Sequence, residues 1–336
     1  MQVSVIGAGV AGLACALELA ERGAAVEVLE RGAQLGAGAC SWFAGGMLAP
    51  WCERENSAAL IAELGAESLP WWQARFPGTV ANGTLVVAHG RDASDLTQFG
   101  RRTAHFEPVG GEAIAALEPD LGGRFAHGLY FPEEGHLDPR AALAALAARL
   151  GELGVRIRFG VDAASVRLRG RAVIDCRGLA ARTQLQELRG VKGEMLLLRL
   201  SEVTLARPVR VLHPRLPVYV VPRDEGLFMV GATMIESDEG TRISARSMLE
   251  LLSAAYALHP AFGEAQIIEI GTGVRAAFPD NLPHLRHEGG VLYVNGLFRH
   301  GFLLAPALAR RAAEVLLAGR HFPEVMHEDS RERRLA

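Results

Sequence analysis

The first thirty residues constrain the fold most tightly. A short apolar run at Gln2–Ile6 is followed by glycines spaced G-x-G-x-x-G, an amphipathic helical pattern, and a second apolar run at 26–29 that ends on Glu30. This order is typical of a strand–helix–strand unit whose helix presents free N–H groups to phosphates. A carboxylate about twenty residues beyond the glycines can bind ribose hydroxyls. The sequence therefore predicts a dinucleotide-binding site.

Each glycine of the motif has a distinct predicted role. Gly7 permits the tight turn, Gly9 lets a pyrophosphate approach the backbone, and Gly12 lets the helix pack close to the sheet. Val10 and Ala11 belong to the same phosphate-binding helix start. A purely structural glycine-rich turn is the alternative, and it is disfavoured because strand, helix, second strand and acid all fall in place.

Composition narrows the class of protein. The 336 residues are 49% hydrophobic and carry a net charge of −3, which indicates one large domain or two interwoven ones and no nucleic-acid footprint. The four cysteines form no C-x-x-C pair, the histidines form no H-E-x-x-H motif, and no apolar run reaches membrane-spanning length. The cysteines form no metal-ligand cluster and suit a reducing cytosol, so we expect a cytoplasmic location and no metal site. The chain starts directly on the first strand, so we expect no signal peptide.

A second unusual stretch follows at residues 36–50, where glycine, alanine and apolar side chains alternate around Cys40, Ser41, Gly45, Gly46 and Met47. It is too glycine-rich for an ordinary helix and too apolar for a solvent loop. One interpretation is a buried hairpin or packed loop. The favoured interpretation is a backbone laid against a flat ring system, because small residues remove the side chains that would block its approach.

With these features the chain resembles the FAD-dependent D-amino-acid oxidase superfamily. The resemblance rests on the glycine motif, Glu30-Arg31 and the Gly-Gly-Met-Leu-Ala run, and it recurs in DCRGLAAR (175–182), YVVPR (219–223), VGATM (230–234), GVRAAFPDNLP (273–283) and NGLFRHGFLLAP (295–306). It covers essentially the whole chain. It implies an α/β (α+β overall) fold, with a Rossmann-type FAD-binding domain and an interwoven substrate domain built on an antiparallel sheet.

The predicted FAD-binding domain comprises residues 1–84, 137–190 and 271–336, and the substrate domain comprises 85–136 and 191–270. Hydrophobic patterns predict strands at 85–88, 155–159, 164–167, 172–175, 192–200, 209–213, 218–222, 227–232, 265–274 and 291–294. They predict helices at 57–76, 140–150, 244–258 and 304–318, short helical pieces near 95–99 and 112–117 within an otherwise irregular stretch from 90 to 136, and a turn at 295–303.

FAD is favoured over NAD because residues 36–50 suit a flavin-covering segment and no second G-x-G-x-x-G exists for a separate nicotinamide cofactor. In the resembling family, the helix after the 299–303 turn points its N-terminus at the flavin and stabilises negative charge on the ring. The predicted cofactor-binding residues are Gly7, Gly9, Val10, Ala11, Gly12, Glu30, Arg31, Cys40, Ser41, Gly45, Gly46, Met47, Ala163, Gly178, Phe298, Arg299, His300, Gly301, Phe302 and Leu303. No cysteine follows Cys176 where covalently flavinylated relatives carry one, so we expect non-covalent FAD.

The resemblance also implies a substrate and its anchor. The implied reaction is oxidation of a small amino acid, with glycine favoured, by hydride transfer from Cα to flavin N5. Its products would be glyoxylate by way of an imine, ammonia and hydrogen peroxide, for thiamine (thiazole) biosynthesis. A guanidinium binds a carboxylate through two parallel hydrogen bonds, and Arg275 matches the family anchor. Arg299, Tyr219 and Met234 match other substrate-pocket positions, and no side chain is expected to act as a general acid or base.

Several positions depart from the family pattern. Ala276 replaces a proline often found after the anchor, which suggests a looser turn, and His300 stands where many relatives carry asparagine. Trp42 and Phe43 are bulky where relatives have small residues, which suggests a smaller active site or a shielded flavin edge. These departures bear on substrate size and oxygen reactivity.

Other functions stay open at this point. A D-amino-acid or sarcosine-type dehydrogenase would pass electrons to an acceptor other than oxygen, and a flavin-binding subunit of a larger complex would have lost its own activity. A nicotinamide-dependent dehydrogenase is disfavoured. The sequence leaves the preferred amine, the electron acceptor and the formation of a homo-oligomer undetermined.

Overall fold

The computed structural model describes residues 1–166, 168, 170–212 and 218–326. Within them the helices are α1 (Val10–Glu21), α2 (Pro50–Glu53), α3 (Ala59–Gly65), α4 (Ser68–Gln73), α5 (Ala93–Arg102), α6 (Gly111–Leu117), α7 (Pro139–Glu152), α8 (Ala245–Leu258) and α9 (Gly301–Ala318). The strands are β1 (Gln2–Ile6), β2 (Ala25–Leu29), β3 (Met47–Leu48), β4 (Thr84–Ala88), β5 (Glu107–Gly110), β6 (His127–Phe131), β7 (Gly135–His136), β8 (Arg156–Arg158), β9 (Ala172–Asp175), β10 (Arg189–Arg199), β11 (Val209–Leu212), β12 (Val218–Pro222), β13 (Leu227–Gly231), β14 (Ile235–Glu236), β15 (Gln266–Ala277), β16 (His284–Glu288) and β17 (Val291–Asn295).

The first layer is a six-stranded sheet in the order β16-β17-β9-β1-β2-β8. Its strands are parallel apart from β16, which pairs antiparallel with β17. Helices α1, α7 and α9 pack together in one apolar core with this sheet, so both ends of the chain contribute to a single nucleotide-binding layer. Parallel strands followed by helices give the Rossmann arrangement that the first thirty residues predict.

The second layer is a nine-stranded, largely antiparallel sheet in the order β14-β10-β13-β12-β11-β4-β6-β5, with β15 paired to the other side of β10. Helix α8 covers one face and buries Leu251, Leu258 and neighbouring side chains in a second apolar core. The two longest strands, β10 and β15, carry the sequence boundaries proposed at 190/191 and 270/271. Both boundaries therefore lie inside strands of the nine-stranded sheet.

Three stretches differ from the sequence prediction. The single helix predicted over 57–76 is wrong: the chain forms α3 and α4 as separate helices, because Pro70 has no N–H and is accommodated only in the first turn of α4. The predicted helical pieces within 90–136 are present as α5 and α6, but that stretch also contains β5, β6 and β7, which are short and lack sustained alternation.

The predicted strand at 164–167 is also wrong. Residues Ala163–Ser165 form a 3-10 turn instead, since the Asp162 side chain accepts a hydrogen bond from the Ala164 N–H at 2.9 Å. Arg167 lies outside the described residues, as does His213 at the end of another predicted strand. Strand β16 was missed, and the stretch through Ala276 is not a turn: β15 continues to Ala277 and pairs Ala276 with Gly190.

The C-terminal helix begins three residues earlier than predicted, at Gly301. Pro306 therefore lies in its second turn, not the first, and cannot donate to the carbonyl of Phe302 four residues before it. The indole N–H of the fully buried Trp72 donates to that carbonyl at 2.9 Å. A side chain from α4 thus replaces the missing backbone donor and holds the first turns of α9 in place.

No helix in the described part of the chain is long and apolar enough to cross a membrane. The same residues contain no group of three or more histidine, cysteine, aspartate or glutamate side chains arranged to hold a metal ion.

The pairing of Trp72 with the Phe302 carbonyl can be tested by two substitutions. We expect Trp72→Phe to lower the free energy of unfolding by about 1–3 kcal/mol beyond the loss of ring contacts, because it leaves a buried acceptor unsatisfied. Adding Pro306→Ala restores a backbone donor, so the double variant should recover part of that loss. Urea unfolding of the two single variants and the double variant measures the coupling; additive effects would contradict it.

Candidate functional site

A cavity of about 970 Å³ lies between the two layers. It is at the upper end of the range for ligand pockets, as a dinucleotide requires. Residues from both sheets and both chain ends line it. The predicted site residues in its wall are Gly7, Gly9, Val10, Ala11, Glu30, Arg31, Cys40, Ser41, Gly45, Gly46, Met47, Ala163, Gly178, Tyr219, Met234, Arg275, Phe298, Arg299, His300, Gly301, Phe302 and Leu303.

The glycine motif forms one end of the cavity. Gly7 has φ +100°, which side chains disfavour, and a Cβ at Gly12 would lie 1.9 Å from the Gly7 carbonyl oxygen. Gly12 thus lies outside the cavity wall and serves the close contact of α1 with β1. Gly9 has only the Ser41 Oγ atom within reach of an added Cβ, at 3.4 Å, so its backbone faces the open cavity.

Two helices begin at the cavity wall. Neither N-cap residue, Gly9 of α1 nor His300 of α9, caps its helix with its own side chain, and neither first turn contains an acidic residue. In α1 the Val10 N–H donates to the Ser41 Oγ atom at 3.4 Å. The helix ends lie close together, since a Cβ on Gly301 would lie 3.4 Å from the Val10 side chain. The two positive helix ends suit an anion such as a pyrophosphate at one helix and an electron-rich ring at the other.

Glu30 is bonded to the backbone in the structure. Its two carboxylate oxygens accept hydrogen bonds from the Ala8 N–H at 2.7 Å and the Gly32 N–H at 2.6 Å. Each oxygen keeps a second lone pair that can accept from a hydroxyl. Glu30 therefore fixes the loop after β2 and still presents an acceptor to the cavity.

The stretch at 36–50 lies along the cavity, but its two bulky residues, Trp42 and Phe43, lie in different surroundings. Phe43 lies in the wall, whereas Trp42 stacks on the Arg140 guanidinium at 4.9 Å and covers Gly36 outside the cavity. The suggestion that both side chains narrow the site is thus restricted to Phe43. Residues Cys40–Phe43 form a 3-10 turn, so most of the stretch is a packed loop.

Arg275 lies in the cavity wall, and its guanidinium rests on bare backbone of β10. A Cβ at Gly193 would lie 2.2 Å from Arg275 Nη2, so only glycine leaves room for this arrangement. Arg275 Nη1 donates to the Thr233 carbonyl at 3.1 Å, and no carboxylate of the described residues pairs with it. Burial, with the nearby charge of Arg299, lowers its pKa to about 10, so it stays positively charged at neutral pH.

Arg275 belongs to a group of charged side chains that we call the arginine cluster. Its members are Arg210, Arg275, Arg299, Glu53 and Glu55. Glu53 Oε2 lies 2.8 Å from Arg299 Nη2, and Arg210 Nη2 donates to Glu55 Oε2 at 2.5 Å. The hydroxyl of Tyr219 links the two pairs, since it donates to Glu53 and accepts from Arg210 Nη1 at 2.9 Å. Met234, half exposed at the cavity mouth, accepts from Arg299 through its sulfur at 3.7 Å.

The charge states of this group are fixed near neutral pH. Burial opposes ionisation of Glu53, but Arg299 and the neighbouring donors outweigh it and lower its pKa to about 2. Burial raises the pKa of the Tyr219 phenol well above its usual value. Burial, together with Arg299 and Arg275, lowers the pKa of His300 to about 4, so its ring is neutral and unsuited to hold a positive charge. The His300 Nε2 atom lies 3.1 Å from Ser57 Oγ.

Sequence reasoning missed Glu53, Arg210 and Gly193. Glu53 follows the Gly-Gly-Met-Leu-Ala run by only four residues, and Arg210 interrupts an apolar strand pattern, so both gave a weak signal as buried charges. Gly193 gave none, because its role appears only when β10 and β15 pair. Tyr219 lies in the cavity wall, but its hydroxyl donates to Glu53, and donation to a substrate carboxylate would require that bond to be exchanged.

A Rossmann layer and an antiparallel sheet share one cavity, and Gly7 and Gly9 form what we call the glycine cradle in its wall. This arrangement is typical of dinucleotide-dependent oxidoreductases. The model of the family described as FAD dependent oxidoreductase matches residues 2–315. The chain therefore belongs to the FAD dependent oxidoreductase family and is an enzyme that uses FAD. The residues that would hold FAD are those of the glycine cradle, Glu30, the loop at 36–50 and the start of α9.

Similar proteins cover the whole chain. It is 56% identical over 325 residues to a Rhizobium etli protein assigned as the thiamine biosynthesis oxidoreductase ThiO, across 96% of this chain and 99% of that protein. It is 28% identical over 360 residues to glycine oxidase of Pseudomonas aeruginosa, across 95% of each. The crystal structure of glycine oxidase from Geobacillus kaustophilus matches with a TM-score of 0.82 at 24% identity, over 97% of this chain and 98% of that one. The predicted fold class is confirmed.

The role of Glu30 can be tested with Glu30→Gln. The amide can no longer accept at both positions, so we expect FAD affinity to fall roughly tenfold, as for loss of one charge-assisted hydrogen bond. Glu27→Gln is the matched control, because Glu27 lies on β2, three residues before Glu30, but bonds Ser4 and Arg171 outside the cavity. Titration of the apoproteins with FAD, followed by flavin fluorescence, measures both; equal affinities in both variants would remove Glu30 from the ribose site.

Proposed function

We propose that this enzyme oxidises glycine to an imine for thiamine (thiazole) biosynthesis. Imine that is released into water hydrolyses to glyoxylate and ammonia. The observation that carries the proposal is the Arg275 guanidinium, which lies in the cavity wall and pairs with no carboxylate of the described residues. The names of the Rhizobium etli and Pseudomonas aeruginosa relatives support the same substrate and pathway.

Arg275 would hold the substrate carboxylate through two parallel hydrogen bonds. Its planar fork rests against Gly193, so it can turn little, and its charge is retained at neutral pH. Glycine has almost no apolar surface, so its carboxylate and amine must supply nearly all of its binding energy. A rigid carboxylate anchor then fixes where Cα lies, which is the main contribution the protein can make by positioning.

FAD, when bound, supplies the hydride acceptor and transfers the electrons onward. The chain's own residues close the substrate end of the cavity with apolar side chains, including Phe43, Met195 and Met229. The uncapped start of α9 at Gly301–Leu303 directs its positive end into the cavity. Since the pKa of His300 is lowered to about 4, its ring is a poor base at neutral pH, and the substrate would enter with its amine already deprotonated or lose that proton to solvent.

We propose further that molecular oxygen is the electron acceptor, that FAD is held without a covalent bond and that the enzyme acts in the cytoplasm, either alone or as a homo-oligomer. Oxygen is favoured because the relatives include oxidases by name. Anaerobic bleaching of the flavin by glycine, followed by hydrogen peroxide release in air, tests the reaction. Bleaching without peroxide would favour a dehydrogenase.

Non-covalent binding predicts that acid precipitation releases the flavin into the supernatant. Cys40 and Cys176 line the cavity, and the contact with Cys15 together with burial raises the thiol pKa of Cys176, which disfavours thiolate attachment there. Absorbance of the supernatant and the pellet is the measurement. Yellow colour retained by the denatured protein would contradict the prediction.

Arg275→Lys tests the carboxylate anchor. Lysine keeps the charge but loses the fork, so we expect FAD to stay bound and the rate of flavin reduction by glycine, per substrate concentration, to fall on the order of a hundredfold, about 2.7 kcal/mol. An amine without a carboxylate should lose much less. Stopped-flow reduction with both substrates measures the difference, and equal losses would mean that Arg275 shapes the site without holding a carboxylate.

Two further variants frame this test. Arg199 is the last residue of β10, far along the strand from Gly193, so Arg199→Lys should leave the rates of flavin reduction by both substrates unchanged. Gly193→Ala should displace the Arg275 guanidinium while the strands stay paired, because the three nearest atoms that a Cβ would meet all belong to that guanidinium and none to the strand backbone. It should therefore resemble Arg275→Lys for glycine.

A further inference from the structure

The substrate end of the cavity is defined by its charges as much as by its shape. Three guanidinium groups and two carboxylates form the arginine cluster, so the cluster itself has one positive charge in excess. Nearby Lys192 contacts both Glu194 and Glu239 at 3.1 Å, and its charge is neutralised there. The excess charge of the cluster lies on Arg275, because Arg210 is bonded to Glu55 and Arg299 contacts Glu53.

Glu53 is the carboxylate that forms an ion pair with Arg299. It projects from α2 into the cavity, its side chain is 9% exposed, and it contacts Arg299 at 2.8 Å while accepting the Tyr219 hydroxyl proton. A second cation in the same wall would otherwise attract a second anion. With Glu53 in place, the charge of Arg299 has a counter-ion and the Tyr219 hydroxyl has an acceptor, and an added carboxylate next to them would meet a carboxylate.

We infer that Glu53 restricts this enzyme to amines that carry a single carboxylate, by neutralising Arg299 and placing a negative charge where a second acidic group would lie. The inference rests on the proposed oxidation of glycine and adds its specificity. Glu53 acts through Arg299 and is a positioning residue. A like charge at short range inside a site disfavours the wrong ligand more strongly than it disfavours a neutral one.

Removal of the Glu53 charge should weaken the preference for substrates that carry a single carboxylate. In Glu53→Gln the buried Arg299 lacks its anion, and a substrate carboxylate can replace it. The probes are N-ethylglycine and iminodiacetate, which are similar in size and differ in that iminodiacetate carries a second carboxylate. We expect the ratio of kcat/KM for iminodiacetate to kcat/KM for N-ethylglycine to rise at least about tenfold over the wild-type ratio.

The matched control is Glu269→Gln. Glu269 pairs with Arg140 at 2.6 Å and lies on β15, the strand of Arg275, but outside the cavity wall. Its ratio should equal that of the wild type. A purely structural role for Glu53 would lower both substrates together and leave the ratio unmoved, and an unmoved ratio overturns the inference.

A measurement on the wild-type holoenzyme covers the case in which Glu53→Gln loses FAD. Acetate and malonate should both perturb the flavin spectrum by binding Arg275, with malonate at least about tenfold weaker at pH 8. Malonate binding as tight as acetate would overturn the inference. Failure of glycine to reduce wild-type flavin would instead reject the proposed function, so the two failures are distinguishable.

Discussion

The antiparallel pairing of β10 with β15 is the interaction on which the site depends. The register places Gly193 opposite Gly273 and Arg275 opposite Val191, at the point where the substrate sheet meets the nucleotide layer. Because Gly193 has no side chain, the Arg275 guanidinium can lie flat on β10 and face the cavity. A shift of one residue in this register would turn Arg275 to the other face of the sheet, so strand pairing and substrate binding are set by the same contacts.

The short helix α2 provides the second half of the site and is held from a distant part of the chain. The Cys52 N–H donates to Glu134 Oε1 at 2.7 Å, which fixes the turn that carries Glu53. Burial raises the pKa of Glu134 to about 8, so this carboxyl is largely protonated at neutral pH and adds little negative charge beside Glu53. The structure can therefore bury two glutamates close together, with only Glu53 ionised.

The sequence predicted features that depend on neighbouring residues and missed side-chain pairs between distant parts of the chain. The strand–glycine–helix unit and the Glu30 position could be recognised within thirty residues, because their roles follow from backbone geometry alone. Glu53 and Arg210 could not be paired with their partners, since Tyr219 lies 166 residues from Glu53 and Arg210 lies 155 residues from Glu55. The start of α9 was misplaced because Pro306 suggested a first turn, and only the indole of Trp72 allows it to lie deeper.

The meeting of α1 and α9 at the cavity has a consequence for the lifetime of the protein. Two helix N-termini, each equivalent to about half a positive charge, lie close together at Val10 and Gly301 and repel one another in the absence of an anion. A bound pyrophosphate would remove that repulsion and act as a ligand of the folded state alone, so its binding free energy adds to folding stability. Newly made chains in a flavin-poor cell would then unfold and be degraded more readily than chains made when flavin is abundant. The amount of enzyme that accumulates would therefore depend on the supply of flavin.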